Sequence, residues 1–322
     1  MSIATAPREE PARPTTISAI VPITERHDDV GEMYREYKEA LSQTGAAFEI
    51  IYVVEGNFPK AYAELKALKD RGEKLTLIRH SRTFGEAIAI SSGFDHASGA
   101  AVMTLPAYRQ VDAAEIPKLV ESLDGCDMVT ARRWPRADSL WNRAQTRLFH
   151  CLVRRMAGTV CNDLGCGVRI FHRKVLEEIN LYGDLHRFLP ILAHRQGFRV
   201  REIDLRQSDK ESRVRTYPFG IYLRRAIDLL TVFFLIKFTK KPLRFFGLTG
   251  SAVLAVGLAV TLYMVVNRLA FGVPLSDRPL FLIGILFVVL GLQIFAIGLV
   301  GEIIIFTHAK DIKEYTIDEI IN

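Results

Sequence analysis

The sequence predicts a mostly parallel α/β sheet flanked by helices, continued by an interfacial amphipathic helix and a two-helix transmembrane hairpin. Three observations predict it. Short β-rich runs alternate with amphipathic stretches over residues 17–217, apolar content climbs steeply from Ile221 onward, and two long apolar runs fill most of 247–306. Strand–helix alternation implies parallel strands covered on both faces, and a helix needs about 20 apolar residues to span a bilayer.

The strands are expected at 17–23, 48–54, 75–79, 100–105 and 127–131, where β-branched and aromatic residues cluster. Between the last two, 112–123 places Ile116, Leu119, Val120 and Leu123 at helical spacing. In sheets of this kind ligands bind beyond the carboxyl ends of the strands. The segments that follow the strands, 22–26, 55–57, 106–112 and 132–136, are therefore the candidate site. Residues 1–16, rich in Pro, Glu and Arg without an apolar core, read as a disordered tail.

Run 247–271 carries a single charge, Arg268, and run 279–306 is broken only by Gln293 and Glu302. Neither has the polar face of a soluble helix. The seven-residue spacing of Gly284, Gly291 and Gly298 suits packing against the other span or against a neighbouring subunit of a homo-oligomer. Arg224, Arg225, Lys237, Lys240, Lys241 and Arg244 precede the first run, so the positive-inside bias puts the α/β domain, both termini and the tail 307–322 in the cytoplasm, at the inner membrane. Region 218–246 mixes Leu, Phe and Ile with Arg and Lys, as an interfacial helix against lipid phosphates does.

The net charge is +6 over 322 residues, which suits anionic lipid, a phosphorylated substrate or nucleic acid. No helix-turn-helix, RNA-recognition or zinc-finger pattern occurs, so nucleic acid is not an expected partner. The four cysteines, Cys126, Cys151, Cys161 and Cys166, lack zinc-site spacing and read as reduced cytoplasmic thiols.

Several motifs occur in an order that resembles family 2 glycosyltransferases: Val21-Pro22 ending a strand, the run 48–56, Thr83-Phe84-Gly85-Glu86-Ala87, the run 163–169, Arg187-Phe188-Leu189-Pro190 and Gln196-Gly197-Phe198. Lys241-Pro242-Leu243-Arg244 and Arg278-Pro279-Leu280 look like the bacterial polyprenyl-phosphate branch, which resembles dolichol-phosphate mannose synthase. The resemblance implies a GT-A fold that moves a sugar from a nucleotide-diphosphate donor to a polyprenyl phosphate in the membrane. On the donor side it implies Pro22, Glu25 and Glu55, the last being the one carboxylate kept in Val54-Glu55-Gly56-Asn57 where the family shows Asp-Asp-Gly-Ser.

The pattern breaks where the family shows Asp-x-Asp-Leu-Gln, whose carboxylates hold Mg²⁺ or Mn²⁺ against the diphosphate. Here the run is Pro106-Ala107-Tyr108-Arg109-Gln110, so no metal ligand is expected and only Gln110 survives. Arg109 is the candidate to neutralise the diphosphate; alternatively it pairs with Glu86, which replaces a family lysine. Arg213 and Arg215 occupy the mobile basic loop that the family closes over the diphosphate. Arg133 and Arg136 match arginines on the acceptor side, and Arg169 joins them, unless they form a solvated basic face. Asp163 orients acceptor or donor sugar, or else caps a turn. The loss of the metal pair leaves an alternative open: an inactive membrane scaffold or regulatory partner, or a cleft for another phosphorylated ligand.

Overall fold

The computed structural model describes residues 14–135, 161–179, 181, 183–209, 242–272 and 279–308. They fall into two units, an α/β domain and a helical hairpin.

The α/β domain is built on seven strands: β1 (Thr16–Ile23), β2 (Ala47–Val54), β3 (Thr76–Arg79), β4 (Ala101–Thr104), β5 (Met128–Arg133), β6 (Arg169–His172) and β7 (Val200–Leu205). Their order in the sheet is β3-β2-β1-β4-β6-β5-β7. Only β6 runs against the rest, pairing antiparallel with β4 and β5. The expected mostly parallel sheet is present, and the five expected strands correspond to β1–β5. Strands β6 and β7 had not been singled out. The first is four residues long, too short for alternation to register, and β7 is an edge strand whose burial does not alternate cleanly.

Period-two alternation in β1 sends Ile17, Ala19, Val21 and Ile23 to one face and Ile20 to the other. The first face is covered by α1 (Val30–Ser42), α2 (Pro59–Asp70) and α4 (Ile116–Glu121). Helix α1 buries Val30, Met33, Tyr34, Tyr37 and Leu41, a 3.6-residue stripe, and Asp29 caps it by accepting from Glu32 N at 2.7 Å. The second face is covered by α3 (Glu86–Asp95), α5 (Lys174–Glu178) and α6 (Leu189–Arg195). The helix expected at 112–123 is a 3₁₀ turn, Ala113–Glu115, running into α4; Ile116, Leu119 and Val120 are its buried positions as the spacing required.

The hairpin consists of α7 (Pro242–Phe271) and α8 (Pro279–His308), both long and apolar enough to cross a membrane. Most of their large side chains are exposed, which a soluble core helix would not tolerate. Helix α7 begins at Pro242, inside the stretch assigned to an interfacial helix; proline suits a first helical position because its missing N–H has no partner there anyway. The remainder of that stretch lies outside the described residues.

The seven-spaced glycines find their partner within the hairpin. A Cβ on Gly291 would lie 2.4 Å from Leu254 N, one on Gly250 2.6 Å from Phe295 N, and one on Gly257 2.6 Å from Val288 N. Backbone meets backbone along this seam, the contact that small residues permit in membrane helices. Glu302, the carboxylate that interrupts α8, accepts from Leu243 N at 3.3 Å in the first turn of α7. It serves an amide that helix geometry leaves without a partner.

Candidate active site at the carboxyl end of the sheet

Strand β1 is followed in sequence by β2 on one side and paired with β4 on the other, so the chain changes direction across the sheet between β1 and β4. Open α/β sheets bind ligands in the crevice above such a switch point. The segments that rise there are 24–29 after β1, 55–57 after β2 and 105–111 after β4.

The segment after β4 is stapled to α1. Tyr37 donates its hydroxyl to Pro106 O at 2.8 Å, and Asp28 N donates to Ala107 O at 2.9 Å. Arg109 N donates to Asp28 Oδ2 at 2.9 Å. The Arg109 guanidinium is 10% exposed and lies among carboxylates of α1 and the turn before it: Glu36 at 2.8 Å, Glu32 at 2.9 Å and Asp28 at 3.7 Å. Bonds to Glu36 push its pKa upward. Two expectations are corrected here. Arg109 is already neutralised by acidic side chains instead of being offered to a diphosphate, and its partner is not Glu86.

Glu86 opens α3 and meets His186 Nε2 at 3.2 Å. Burial opposes its ionisation, but the bond from His186 and the charges of His186, Arg187 and Arg169 outweigh it, holding the carboxyl below its usual value.

Gln110 is 3% exposed and joins two segments. Its Oε1 accepts from Gly167 N at 2.7 Å, and its Nε2 donates to the Tyr108 hydroxyl at 2.6 Å. Gln110 thus holds the floor of the crevice in place; nothing in these bonds leaves it aimed at a reacting atom, against the expectation of a catalytic residue. Tyr108 stands where the family carries its second metal carboxylate, and the Arg26 guanidinium lies 3.3 Å above its ring centroid.

Glu55, at the end of β2, is 1% exposed. Its Oε1 accepts from Phe84 N at 2.8 Å and Gly85 N at 2.6 Å, while its buried Oε2 has no hydrogen-bond partner among the described residues. Gly85 holds φ at 95°, a conformation that costs a glycine little and aims its N–H at Glu55. Gly56 is required by proximity: a Cβ there would lie 2.6 Å from Ser81 O. Pro22 is buried inside β1 as its penultimate residue, and exposed Glu25 pairs with Arg187 at 3.4 Å.

On the other side, Asp163 is 2% exposed and accepts from Arg133, Oδ2 from Nε at 2.8 Å and Oδ1 from Nη2 at 3.0 Å. Glu202 of β7 fixes the same turn, accepting from Asn162 N at 2.6 Å and Asp163 N at 2.9 Å. Asp163, expected to orient acceptor or donor sugar, and Arg133, expected on the acceptor side, are therefore one ion pair. Arg169 is corrected as an acceptor ligand: its guanidinium is buried and donates to the carbonyls of Cys166, Leu164, Arg187 and His186. Burial pushes its pKa down. It ties the 163–167 turn to the 3₁₀ segment Gly183–Phe188. Arg136, Arg213 and Arg215 lie outside the described residues. Burial raises the Cys161 and Cys166 thiols to about 12, so neither is a ready nucleophile.

The sequence reading missed Arg26, His186 and Glu202. Arg26 had a signal, lying in the post-strand segment where ligands bind; the other two meet their partners only through the fold.

A divalent cation held between two carboxylates does not fit these residues. Its positions carry buried Pro106 and the hydrogen-bonded Tyr108, and no cluster of three or more His, Cys, Asp or Glu among the described residues is placed to hold a metal.

The sheet, its switch point and the flanking helices are those of a GT-A glycosyltransferase. The solved structure of glucosyl-3-phosphoglycerate synthase from Mycobacterium tuberculosis, in complex with Mn²⁺, UDP and phosphoglyceric acid, matches with a TM-score of 0.51 at 16% identity, covering 68% of this chain and 78% of its own. The model of glycosyl transferase family 2 matches residues 18–180, and the chain belongs to that family. It is a glycosyltransferase whose curated relatives include undecaprenyl-phosphate 4-deoxy-4-formamido-L-arabinose transferases. The one from Klebsiella pneumoniae is 29% identical over 95% of this chain and 93% of its own length; that from Pseudomonas aeruginosa is 32% identical over 89% and 84%.

Proposed function

We propose that the chain transfers a sugar from a nucleoside-diphosphate donor to a polyprenyl phosphate, with the donor seated above the β1–β4 switch point. The observation that carries this reading is similarity along nearly the whole chain, hairpin included, to transferases named for undecaprenyl phosphate. The hairpin supports it physically, because a lipid acceptor stays in the bilayer and its phosphate is reached only by a domain anchored there. The basic residues ahead of α7 favour a cytoplasmic location for the domain and both termini.

In the transfer, an oxygen of the acceptor phosphate attacks the anomeric carbon. The bond from that carbon to the donor's β-phosphate oxygen breaks, and the nucleoside diphosphate leaves with the electron pair. The acceptor is ionised at neutral pH, so no proton has to be removed. That suits an Asp163 committed to Arg133: the pair shapes and positions the acceptor side instead of acting as a base. Glu55, with its unpartnered buried Oε2, is suited to accept from the base or ribose of the nucleotide. Arg136, Arg213 and Arg215 remain proposed phosphate partners from the sequence pattern.

The test is glycosyl-lipid formation by the purified chain in lipid nanodiscs containing undecaprenyl phosphate, supplied with a panel of labelled nucleotide sugars. A labelled lipid product is expected with at least one donor. No product with any donor, with or without Mn²⁺, would leave the scaffold reading standing.

A further inference from the structure

We infer that Arg26, stacked on Tyr108, is the fixed cation that holds the donor diphosphate in place of a divalent ion. This deepens the proposed function and rests on its placement of the donor.

The position comes from topology. Arg26 follows β1 and Tyr108 follows β4, and these strands are hydrogen-bonded parallel neighbours flanking the switch point. The pair therefore stands over the crevice, with Tyr108 at the site of the missing metal carboxylate. The Tyr108 ring is fixed, because its hydroxyl accepts from Gln110 Nε2 at 2.6 Å and Gln110 is itself anchored by Gly167 N at 2.7 Å. Of the residues before it, Pro106 accepts from Tyr37 of α1 and Ala107 from Asp28 in the turn before α1.

The chemistry comes from the stack. At 3.3 Å from the ring centroid, the guanidinium spends its flat face on the aromatic quadrupole. Its N–H donors lie in the plane and stay available, in the fork that matches two phosphate oxygens. Among the described residues no carboxylate forms an ion pair with Arg26: the adjacent Glu25 pairs with Arg187, Asp29 caps α1, and Asp28, Glu32 and Glu36 are held by Arg109. Arg109 thus keeps the α1 carboxylates from neutralising its neighbour. A neutral tyrosine, a far poorer ligand than a carboxylate for Mg²⁺ or Mn²⁺ but able to seat an arginine, replaces a metal-binding carboxylate with a stacking platform. The site then holds the diphosphate against a fixed positive charge in place of an exchangeable ion.

The experiment is equilibrium binding of UDP, GDP, CDP, ADP and dTDP, each beside its nucleoside, to the full chain in lipid nanodiscs in EDTA or in Mn²⁺. The expected result is binding of at least one diphosphate in EDTA, changed less than about threefold by Mn²⁺. Arg26→Ala is expected to weaken that diphosphate about tenfold or more, the cost of losing charged hydrogen bonds, with nucleoside binding unchanged. Arg26→Lys falls between, since lysine keeps the charge without the planar fork. Arg26 is half-buried, and an unchanged melting temperature in both variants separates lost binding from lost folding. Binding that requires Mn²⁺, or that Arg26→Ala leaves intact, overturns the assignment while the donor reading stands. No diphosphate binding under either condition overturns both.

Discussion

Replacing Asp163 by Asn tests whether the Asp163–Arg133 pair is what holds the acceptor-side turn together. The carboxylate is 2% exposed and its partner guanidinium 12% exposed, with two hydrogen bonds between them at 2.8 and 3.0 Å. Removing one partner of a buried pair costs about 3–5 kcal/mol, because the other charge stays buried without that partner. Arg133 keeps slight contact with solvent, so Asp163→Asn is expected near the lower bound, about 3 kcal/mol. Arg133→Met takes the guanidinium from the more deeply buried member of the pair and is expected to cost more. For a domain of this size each kcal/mol lowers the melting temperature by about 2–4 °C, giving a drop of about 6–12 °C for Asp163→Asn. The assay is thermal unfolding of the full chain and of both single variants and the double variant. The double variant has no stranded charge, so its loss is expected to fall short of the summed losses by about 2 kcal/mol or more. Additive losses, or a single-variant drop under about 2 °C, would refute the reasoning.

Two further predictions follow from local geometry. Because the folded pKa of Glu86 is depressed, its stabilisation is present above the ordinary carboxylate value of 4.5 and is lost as pH falls through the lower folded value. The melting-temperature gap between the parent chain and Glu86→Gln should therefore be full near pH 6 and close as the medium is acidified below 4.5; a pH-independent gap would contradict the assignment. In the hairpin, Gly291→Ile would drive a side chain into the backbone of Leu254, 2.4 Å from its nitrogen, where no flexible side chain can yield. A loss of about 1–3 kcal/mol is expected, read as a lower midpoint for loss of the detergent-solubilised monodisperse protein on heating; an unchanged midpoint would mean that the seam is not close-packed.

Much of this architecture was legible in the sequence because it rests on local signals. Strands β1 to β5 carry β-branched runs, 116–123 shows helical spacing, and two apolar runs of membrane-spanning length stand apart from the rest. The glycines of α8 signalled a close contact, though only the fold supplied the partner, since Leu254 lies on the other helix. Charges were legible in sign but not in destination. Arg109 and Glu36 are 73 positions apart, and nothing local announces that they meet. Arg169 read as a cation facing an acceptor, yet it is a buried clamp on backbone carbonyls, which arginine's several donors permit as readily as phosphate binding. The lost Asp-x-Asp was plain in the sequence. That Tyr108 in its place seats Arg26 could not be inferred, because the two residues are brought together by adjacent strands, not by spacing along the chain.

A high-resolution structure of the full chain with a bound nucleoside diphosphate tests the donor site most directly. The diphosphate should lie above the ends of β1 and β4 against the Arg26 guanidinium, with the base or ribose reaching the free oxygen of Glu55. A nucleotide bound instead along β7, in the crevice lined by Lys118, Arg132 and Arg201, with Arg26 still stacked and untouched, would contradict it.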